Sequence, residues 1–222
     1  PEEMLRTLND EDKRAELISR MQEVGYGRPS GNMWTHIGSD RNKHLEGMLF
    51  DEVAADWGVG VEEMICRVMA EESLTCGFRG TPPTSVKVWR QVEEDVMELM
   101  SRPDYMVGSD SIPVGGMPHP RAYGCFVRVL GRLRRRYNYP VEQVVQRLTQ
   151  NPAERFGLTD RGVIAEGKFA DLVIFDAERV IDRSSFEDPQ VHPEGVPWVL
   201  VNGQIAVENE AVTGVLAGEA IP

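Results

Sequence analysis

The chain has 222 residues, a formal net charge of −12, 41% hydrophobic residues and 27% charged residues. These fractions are ordinary for a soluble globular protein, and the length fits one large domain or two small ones. The negative charge argues against nucleic acid and against an anionic membrane surface as partners, because both need a basic protein face.

The first hundred residues carry mostly helical patterns. Apolar residues at helical spacing predict helices over 1–24, 45–57, 61–73 and 86–102. The glycine-rich stretch 25–31 ends the first of these helices, and Pro103 ends the last. The segment 34–39 is expected to form a short strand or an irregular stretch. The segment 77–84, which holds two prolines, is interpreted as a loop.

A buried strand is predicted next, over 105–107. Three apolar residues run into Gly108, and the carboxylate of Asp110 follows almost at once. A buried parallel strand that ends in a polar loop has this pattern. In barrels of alternating strands and helices, the C-terminal ends of the strands carry the chemistry. Asp110 is therefore a candidate general base. The alternative is a helix N-cap or Asx-turn aspartate.

The loop 113–121 is rich in glycine and proline, and such loops are typical places for binding residues. Helices are expected after it, over 121–137 and 141–149. The first has a basic C-terminal end, formed by Arg132, Arg134, Arg135 and Arg136. This run suits the negative end of the helix dipole and is interpreted as a solvated face.

From Gly162 onward the pattern becomes strand-like. Apolar and β-branched residues predict strands over 163–164, 170–176 and 198–201. The stretch 201–207 is a strong hairpin signal, because Asn202-Gly203 fits a type I′ turn.

Three cysteines, Cys66, Cys76 and Cys125, show no CxxC spacing, which is typical of reduced, packed thiols. No apolar run approaches the ~18 residues of a membrane span, and no signal peptide is evident. The chain is therefore expected to be cytoplasmic. His36, His44 and His192 are scattered and are interpreted as structural or solvated.

Several stretches together resemble a known family. Residues 162–176 resemble the C-terminal β-sandwich signature of the amidohydrolase superfamily. Val107-Gly108-Ser109-Asp110, Pro118-His119-Pro120-Arg121 and 129–131 are similar to a narrower group, the D-aminoacylase or N-acyl-D-amino-acid deacylase branch. The tail segments 186–189, 193–195 and 199–203 resemble the same branch. The match is good from about Pro103 to the end and looser before it.

The resemblance implies an α/β fold: a metal-dependent (β/α)₈ barrel joined to a small β-sandwich. Residues 1–102 would then form a helical insertion, or lid, together with a barrel helix. Residues 103–157 would hold the last barrel strand and the helices after it. Residues 158–222 would supply half of the β-sandwich.

The resemblance also implies roles for individual residues. Asp110 would take a proton from a metal-bound water and deliver it to the leaving amide nitrogen. Arg121 would hold the substrate carboxylate, which a guanidinium can bind bidentately. Ser109 and His119 lie in the same loops and are candidate substrate-binding residues, although His119 also fits a rigid loop hydrogen-bonder. The implied cofactor is zinc, as one or two ions, and Asp110 is a candidate weak ligand.

The departure from the family pattern is large. An amidohydrolase of this type needs an HxH motif, a bridging residue and two further histidines, but this chain has four histidines and no HxH. It cannot build the metal site by itself. The simplest account is that the chain is the C-terminal half of the enzyme, in an obligate heteromer with a partner chain that carries the HxH site. A genetic split and a proteolytic fragment that stays associated both fit.

Three functions stay open. The first is a catalytic subunit that hydrolyses the amide bond of N-acyl-D-amino acids. The second keeps the chemistry but takes a cyclic amide, such as a hydantoin, a lactam or a diketopiperazine, for which Arg121 would have no carboxylate to bind. The third is a non-catalytic stabilising subunit, against which the intact Gly108-Ser109-Asp110 sequence argues.

Overall fold

The computed structural model describes residues 1–24, 29, 31–80 and 82–221. The chain divides into two compact units. Unit 1 comprises Pro1–Pro82 and Ile112–His119, and unit 2 comprises Pro83–Ser111 and Pro120–Pro222. Among the residues that the structure describes, no helix is both long and apolar enough to cross a membrane.

Unit 1 is mainly helical, with one small antiparallel sheet. Its described elements are α1 (Glu2–Asn9), α2 (Glu11–Val24), β1 (Met33–Ile37), a 3₁₀ turn (Lys43–Leu45), α3 (Phe50–Trp57), α4 (Val61–Glu71) and β2 (Cys76–Arg79). Strands β1 and β2 pair antiparallel, with Met33 opposite Arg79 and Ile37 opposite Cys76. The core of the unit is built from Trp34, Ile37, Leu45, Phe50, Val53, Ala54, Met64 and Val68.

The predictions for unit 1 hold in outline but need four corrections. The helix predicted over 1–24 is two helices, because Asp10 leaves the helical conformation and its carboxylate accepts a hydrogen bond from the Lys13 N–H. The helix predicted over 45–57 begins only at Phe50, after Gly47 at φ +85°. The helix predicted over 61–73 ends at Glu71. The predicted loop 77–84 contains most of β2, which pairs with β1. The glycine break at 25–31 lies largely outside the described residues.

Unit 2 combines helices with a second antiparallel sheet. Its described elements are α5 (Val86–Ser101), α6 (Arg121–Arg128), a π-helical segment (Val129–Leu133), α7 (Arg134–Arg136), α8 (Val141–Leu148), α9 (Gln150–Arg155), β3 (Leu172–Ile174), β4 (Trp198–Val201), β5 (Gln204–Glu208) and β6 (Ala211–Val212). The four strands form one antiparallel sheet in the order β3-β4-β5-β6. The core includes Met97, Met100, Val129, Leu130, Leu133, Val144, Val180 and Val196.

The hairpin predicted over 201–207 is confirmed as β4 and β5. Asn202 and Gly203 connect the two strands at φ +48° and +78°, as a type I′ turn requires. Of the strand predicted over 170–176, only Leu172–Ile174 is paired. Residues 163–164 form no strand, because their backbone has no ladder partner among the residues that the structure describes.

The strand predicted over 105–107 is also not a strand in this structure. Tyr105 and Val107 do pack against the core of unit 2, so the prediction of a buried apolar segment holds. The backbone hydrogen bonds of this segment go elsewhere, because the Val107 N–H donates to the Arg147 carbonyl and the Asn151 side chain donates to the Tyr105 carbonyl. A strand needs a neighbouring strand to form a ladder, and these contacts take its place.

The arginine run after α6 is not a solvated face. Arg132 pairs with the buried Asp182 at 3.2 Å, and Arg136 pairs with the nearly buried Glu93. Arg134 and Arg135 both donate to the Ala177 carbonyl. The run therefore ties the helix to the segment before β4 and to α5 through specific hydrogen bonds.

Candidate active site

Asp110 and Arg121 lie together in unit 2. An Nη2 atom of Arg121 is 3.0 Å from an Oδ2 atom of Asp110, and the two side chains are 37% and 89% exposed. Arg121 begins α6, and Asp110 ends the segment that packs against the core. The structure thus brings the predicted proton carrier and the predicted carboxylate-binding residue into contact, although eleven positions separate them in the sequence.

The backbone at Asp110 has an unusual conformation. Its φ is +46°, in the left-handed region that aspartate and asparagine adopt more readily than other non-glycine residues. Because the side chain is 89% exposed, its carboxylate can be reached from solvent. Such a strained position at the end of a packed segment is common at functional sites.

The other two predicted substrate-binding residues differ in their surroundings. Ser109 is half-buried next to Asp110, and its hydroxyl donates to the Ser111 hydroxyl at 3.2 Å. His119 is half-buried too, but it belongs to unit 1 as the last residue of Ile112–His119. The structure therefore places Ser109, but not His119, in the compact unit that holds Asp110 and Arg121.

The segment Ile112–His119, which we call the 112–119 loop, is anchored inside unit 1. The Gly116 N–H donates to an Oε2 atom of Glu46 at 3.0 Å, and the Met117 N–H donates to the Thr35 carbonyl at 3.4 Å. Burial raises the pKa of Glu46, but hydrogen bonds from Lys43 and from the Ile37 and Gly116 N–H groups outweigh it, so the pKa lies below its usual value. Sequence reasoning did not assign Glu46 a role. The only signal in the sequence was its place in the stretch Leu45-Glu46-Gly47.

The described residues of this chain do not fit a metal ion. Residues 1–24, 29, 31–80 and 82–221 contain no cluster of three histidine, cysteine, aspartate or glutamate side chains that could hold one. The guanidinium of Arg121 lies beside Asp110 and would repel a metal cation there. Burial raises the pKa of Cys66 and Cys76 to about 11, so both thiols stay protonated near neutral pH. His44 and His192 are exposed, and His36 lies beside Glu46.

A protein-family model matches most of the chain, including the motifs quoted above. The model of the Amidohydrolase family matches residues 34–207 of the chain. The chain belongs to the amidohydrolase family. The match covers α3 and α4 of unit 1, the Asp110 and Arg121 segments and most of the antiparallel sheet of unit 2.

Curated relatives place this amidohydrolase chain in the D-aminoacylase branch, which confirms the resemblance read from the motifs. It is 35% identical to the D-aminoacylase of Alcaligenes xylosoxydans xylosoxydans over 178 residues, 80% of this chain and 34% of that protein. It is 37% identical to the N-acyl-D-glutamate deacylase of the same organism over 158 residues, 71% of this chain and 30% of that protein. The chain spans about a third of the length of these relatives.

Solved structures agree on the fold. A crystal structure of D-aminoacylase, described as defining a novel subset of amidohydrolases, matches 84% of this chain and 36% of its own, at 32% identity and a TM-score of 0.68. The N-acyl-D-glutamate deacylase of Bordetella bronchiseptica, complexed with zinc and a phosphonate inhibitor, matches 80% of this chain and 34% of its own, at 32% identity and a TM-score of 0.65. The chain therefore has an α/β fold related to the (β/α)₈ barrel.

Proposed function

We propose that this chain is the C-terminal part of a metal-dependent amidohydrolase that hydrolyses the amide bond of N-acyl-D-amino acids. The names of the two curated relatives support the reaction class. The observation that carries the proposal is the contact between Asp110 and Arg121, because it joins a proton carrier and a carboxylate-binding group at one accessible place. An N-acyl amino acid presents the two features that such a pair recognises, a scissile amide and a carboxylate.

In the proposed reaction Asp110 moves protons. Its carboxylate accepts a proton from the attacking water and then delivers it to the amide nitrogen, so that the amine leaves in neutral form. A carboxylate can serve in both steps only if solvent and substrate reach it, and Asp110 meets this condition because its side chain is exposed. Asp110 has a left-handed backbone conformation and follows a segment whose Tyr105 and Val107 pack on the core.

In the same proposal Arg121 orients the substrate. A guanidinium holds a carboxylate through two parallel hydrogen bonds, which fixes both position and orientation. Arg121 contacts Asp110 at 3.0 Å, and an exposed ion pair of this kind is worth at most about 1 kcal/mol. A substrate carboxylate can therefore replace Asp110 as the partner of Arg121 and leave the Asp110 carboxylate available. Ser109 and His119 are proposed as further substrate contacts.

We place the metal site outside this chain. The described part of the chain lacks a metal-binding cluster, and the match covers only about a third of each family relative. A partner polypeptide with the HxH motif would therefore hold zinc, in one or two ions, and the two chains would form an obligate heteromer. The exposed apolar residues of unit 2 support such an interface; on and around the sheet they include Phe169, Val173, Ile174, Ile205 and Val212.

Two further assignments follow from the same proposal. The segment 105–107 would become the last barrel strand when strands of the partner lie beside it, because only then does its backbone have a ladder. The sheet β3-β4-β5-β6 would be half of a β-sandwich whose other strands the partner supplies. An unpaired sheet edge and an apolar face both favour association with another chain.

The test is co-purification followed by metal and activity assays. We expect this chain to co-purify with a polypeptide that carries HxH, and the pair to contain zinc and to hydrolyse N-acetyl-D-amino acids. This chain alone should be poorly soluble and bind no stoichiometric zinc. A well-folded, zinc-loaded and active monomer of this chain would overturn the split arrangement. Failure of the complete pair to hydrolyse any N-acyl-D-amino acid would overturn the proposed reaction.

A further inference from the structure

The first turn of α6 accepts a hydrogen bond from a residue far along the chain. The Ser184 hydroxyl donates to the Pro120 carbonyl oxygen at 3.0 Å, across a separation of 64 residues. The same carbonyl accepts the Tyr123 N–H at 3.1 Å and the Gly124 N–H at 2.9 Å. Because Pro120 directly precedes Arg121, Ser184 holds the turn of the chain that carries the proposed substrate-orienting arginine.

The stretch that contains Ser184, which we call the 180–184 segment, packs directly on the backbone of the helix. A Cβ atom on Gly124 would overlap the Ser184 Oγ, and one on Gly131 would overlap the Val180 carbonyl oxygen. Ser184 therefore lies against the start of α6, and Val180 lies against the π-helical segment that follows α6. The 180–184 segment thus runs along the helix in the opposite direction, and glycine at two positions allows this close approach.

Asp182, in the middle of the 180–184 segment, fixes the alignment of the segment with the helix. Its side chain is 3% exposed, and its carboxylate pairs with Arg128 at 3.1 Å and with Arg132 at 3.2 Å. Arg132 also donates to the Asp182 carbonyl at 3.3 Å. A shift of the helix along the segment would break these charge-assisted hydrogen bonds, so Ser184 meets the first turn of α6 at one defined place.

We propose that Ser184 is a positioning residue for Arg121, which acts by holding the first turn of α6 in place beside Asp110. All three residues and Pro120 belong to unit 2. The proposal rests on the proposed function, because it assumes that Arg121 binds the substrate carboxylate. Bidentate binding depends on the direction of the guanidinium, so a small movement of the turn that carries it weakens substrate binding.

Hydrogen exchange of the chain in complex with its partner tests the contact without any need for turnover. Ser184→Ala should speed exchange of the Gly124 amide about twofold to tenfold, the range for the net loss of a neutral hydrogen bond, because the carbonyl that this amide bonds is no longer held. Ser185→Ala is the matched control, since the Ser185 hydroxyl accepts the Glu187 and Asp188 N–H groups of its own loop. The control should leave the Gly124 amide unchanged. Unchanged exchange in Ser184→Ala overturns the proposal.

Kinetics of the same complex test the positioning role. Ser184→Ala should raise KM for N-acetyl-D-leucine about twofold to tenfold with kcat nearly unchanged, because the variant loses binding that substrate and transition state share. Ser185→Ala should change neither constant. A purely structural role of Ser184 would lower the active fraction, and hence kcat, with KM unchanged. That result overturns the positioning role.

A double-mutant cycle with Gly124 tests whether the contact with the helix carries the effect. Gly124→Ala should displace the first turn and raise KM at least as much as Ser184→Ala. In the double variant the overlapping oxygen is gone, and the nearest remaining atom is the Asp182 Cβ at 3.2 Å. The double variant should therefore have about the KM of Ser184→Ala alone, and strictly additive effects would overturn the proposal. Inactivity of the unmutated complex is a different result: it overturns the proposed function, and this role with it, whatever the exchange data show.

Discussion

Two kinds of carboxylate occur in this molecule, and the contrast between them separates structure from chemistry. In unit 1, Glu72 is 3% exposed and accepts hydrogen bonds from the Ser39 N–H, the Ser39 hydroxyl and the Asn42 amide, all at 2.7 Å. In unit 2, Asp110 is 89% exposed and touches one cation. The oxygens of the buried Glu72 carboxylate already accept hydrogen bonds from fixed donors, so this side chain stabilises the fold. The exposed one remains available to a ligand.

Unit 2 by itself contains both a buried and an exposed carboxylate of this kind. Asp182 is 3% exposed and pairs with Arg128 at 3.1 Å and with Arg132 at 3.2 Å. Arg121 belongs to the same helical stretch but contacts Asp110 instead. The arginines that pair with buried carboxylates hold elements together, whereas Arg121 contacts the exposed carboxylate of Asp110. Substitutions on the two sides of this division should therefore have different consequences.

The largest expected effect is on turnover. Asp110→Asn should lower kcat of the chain with its partner by about 10²–10⁴, the usual contribution of a general acid–base group, because the amide cannot accept the proton. The fold should be unaffected, since the side chain is exposed. Asp104→Asn is the control, as Asp104 is also exposed and paired with an arginine. Turnover of Asp110→Asn within a few-fold of the unmutated complex would rule out the proposed role.

The next effect is on stability. Glu72→Ala should lower the free energy of unfolding by about 2–3 kcal/mol, because it removes the acceptor of three hydrogen bonds from the half-buried Ser39 and the buried Asn42. Urea denaturation of the chain in complex with its partner measures this loss. Glu16→Ala should change stability by less than about 0.5 kcal/mol, since Glu16 is 64% exposed and pairs only with Arg20. Equal losses in the two variants would mean that burial does not separate the two kinds of carboxylate.

Local patterns in the sequence predicted much of this arrangement. Helices α4 and α5 and the Asn202-Gly203 hairpin depend on spacing within a few residues, and all three were predicted, although Val92 and Leu99 of the apolar stripe predicted for α5 are exposed. The contact between Asp110 and Arg121 was not predicted as such, but both residues were named from the motifs that contain them. Each of these features depends on residues close together in the sequence or on a local motif.

The features that were not predicted depend on residues that lie far apart in the sequence. Strand β2 has little apolar character and forms because β1 lies beside it, forty residues earlier in the chain. The segment 105–107 has a strand pattern but finds the Arg147 carbonyl and the Asn151 side chain in place of a ladder. The roles of Glu46 and Asp182 depend on donors seventy and about fifty residues away. No local pattern specifies such partners, so only the folded chain reveals them.

A moderate effect should separate the two open substrate classes. Arg121→Ala should raise KM for N-acyl-D-amino acids by roughly 10–100-fold, since a charge-assisted hydrogen bond contributes about 1.5–3 kcal/mol. It should have little effect on a cyclic amide that lacks a free carboxylate. Arg102→Ala is a suitable control, because Arg102 is exposed and pairs with Asp104. Equal effects on both substrate classes would remove the proposed role of Arg121 in carboxylate binding.

The smallest effect is the dependence of stability on acid pH. Burial raises the pKa of Glu72, but hydrogen bonds from Ser39, Asn42 and the Gly38 N–H outweigh it, so its pKa in the fold lies below 4.5. Glu46 is shifted in the same direction and faces Lys43 and His36. The unfolded chain therefore binds more protons near this pH, so this stabilisation is complete above about pH 4.5 and is lost as the pH falls through the folded pKa.

Urea midpoints of the chain in complex with its partner, at pH 7 and at pH 4, measure this dependence. Glu72→Gln should be less stable than the unmutated chain at pH 7, and the difference should shrink at pH 4, where the glutamate itself begins to be protonated. Asp110→Asn should change the urea midpoint little at pH 7, because an exposed ion pair contributes at most about 1 kcal/mol to stability. A difference for Glu72→Gln that stays constant between the two pH values would show that the side chain stabilises unit 1 through packing and not through its charge. The difference between Glu72 and Asp110 would then come from burial alone.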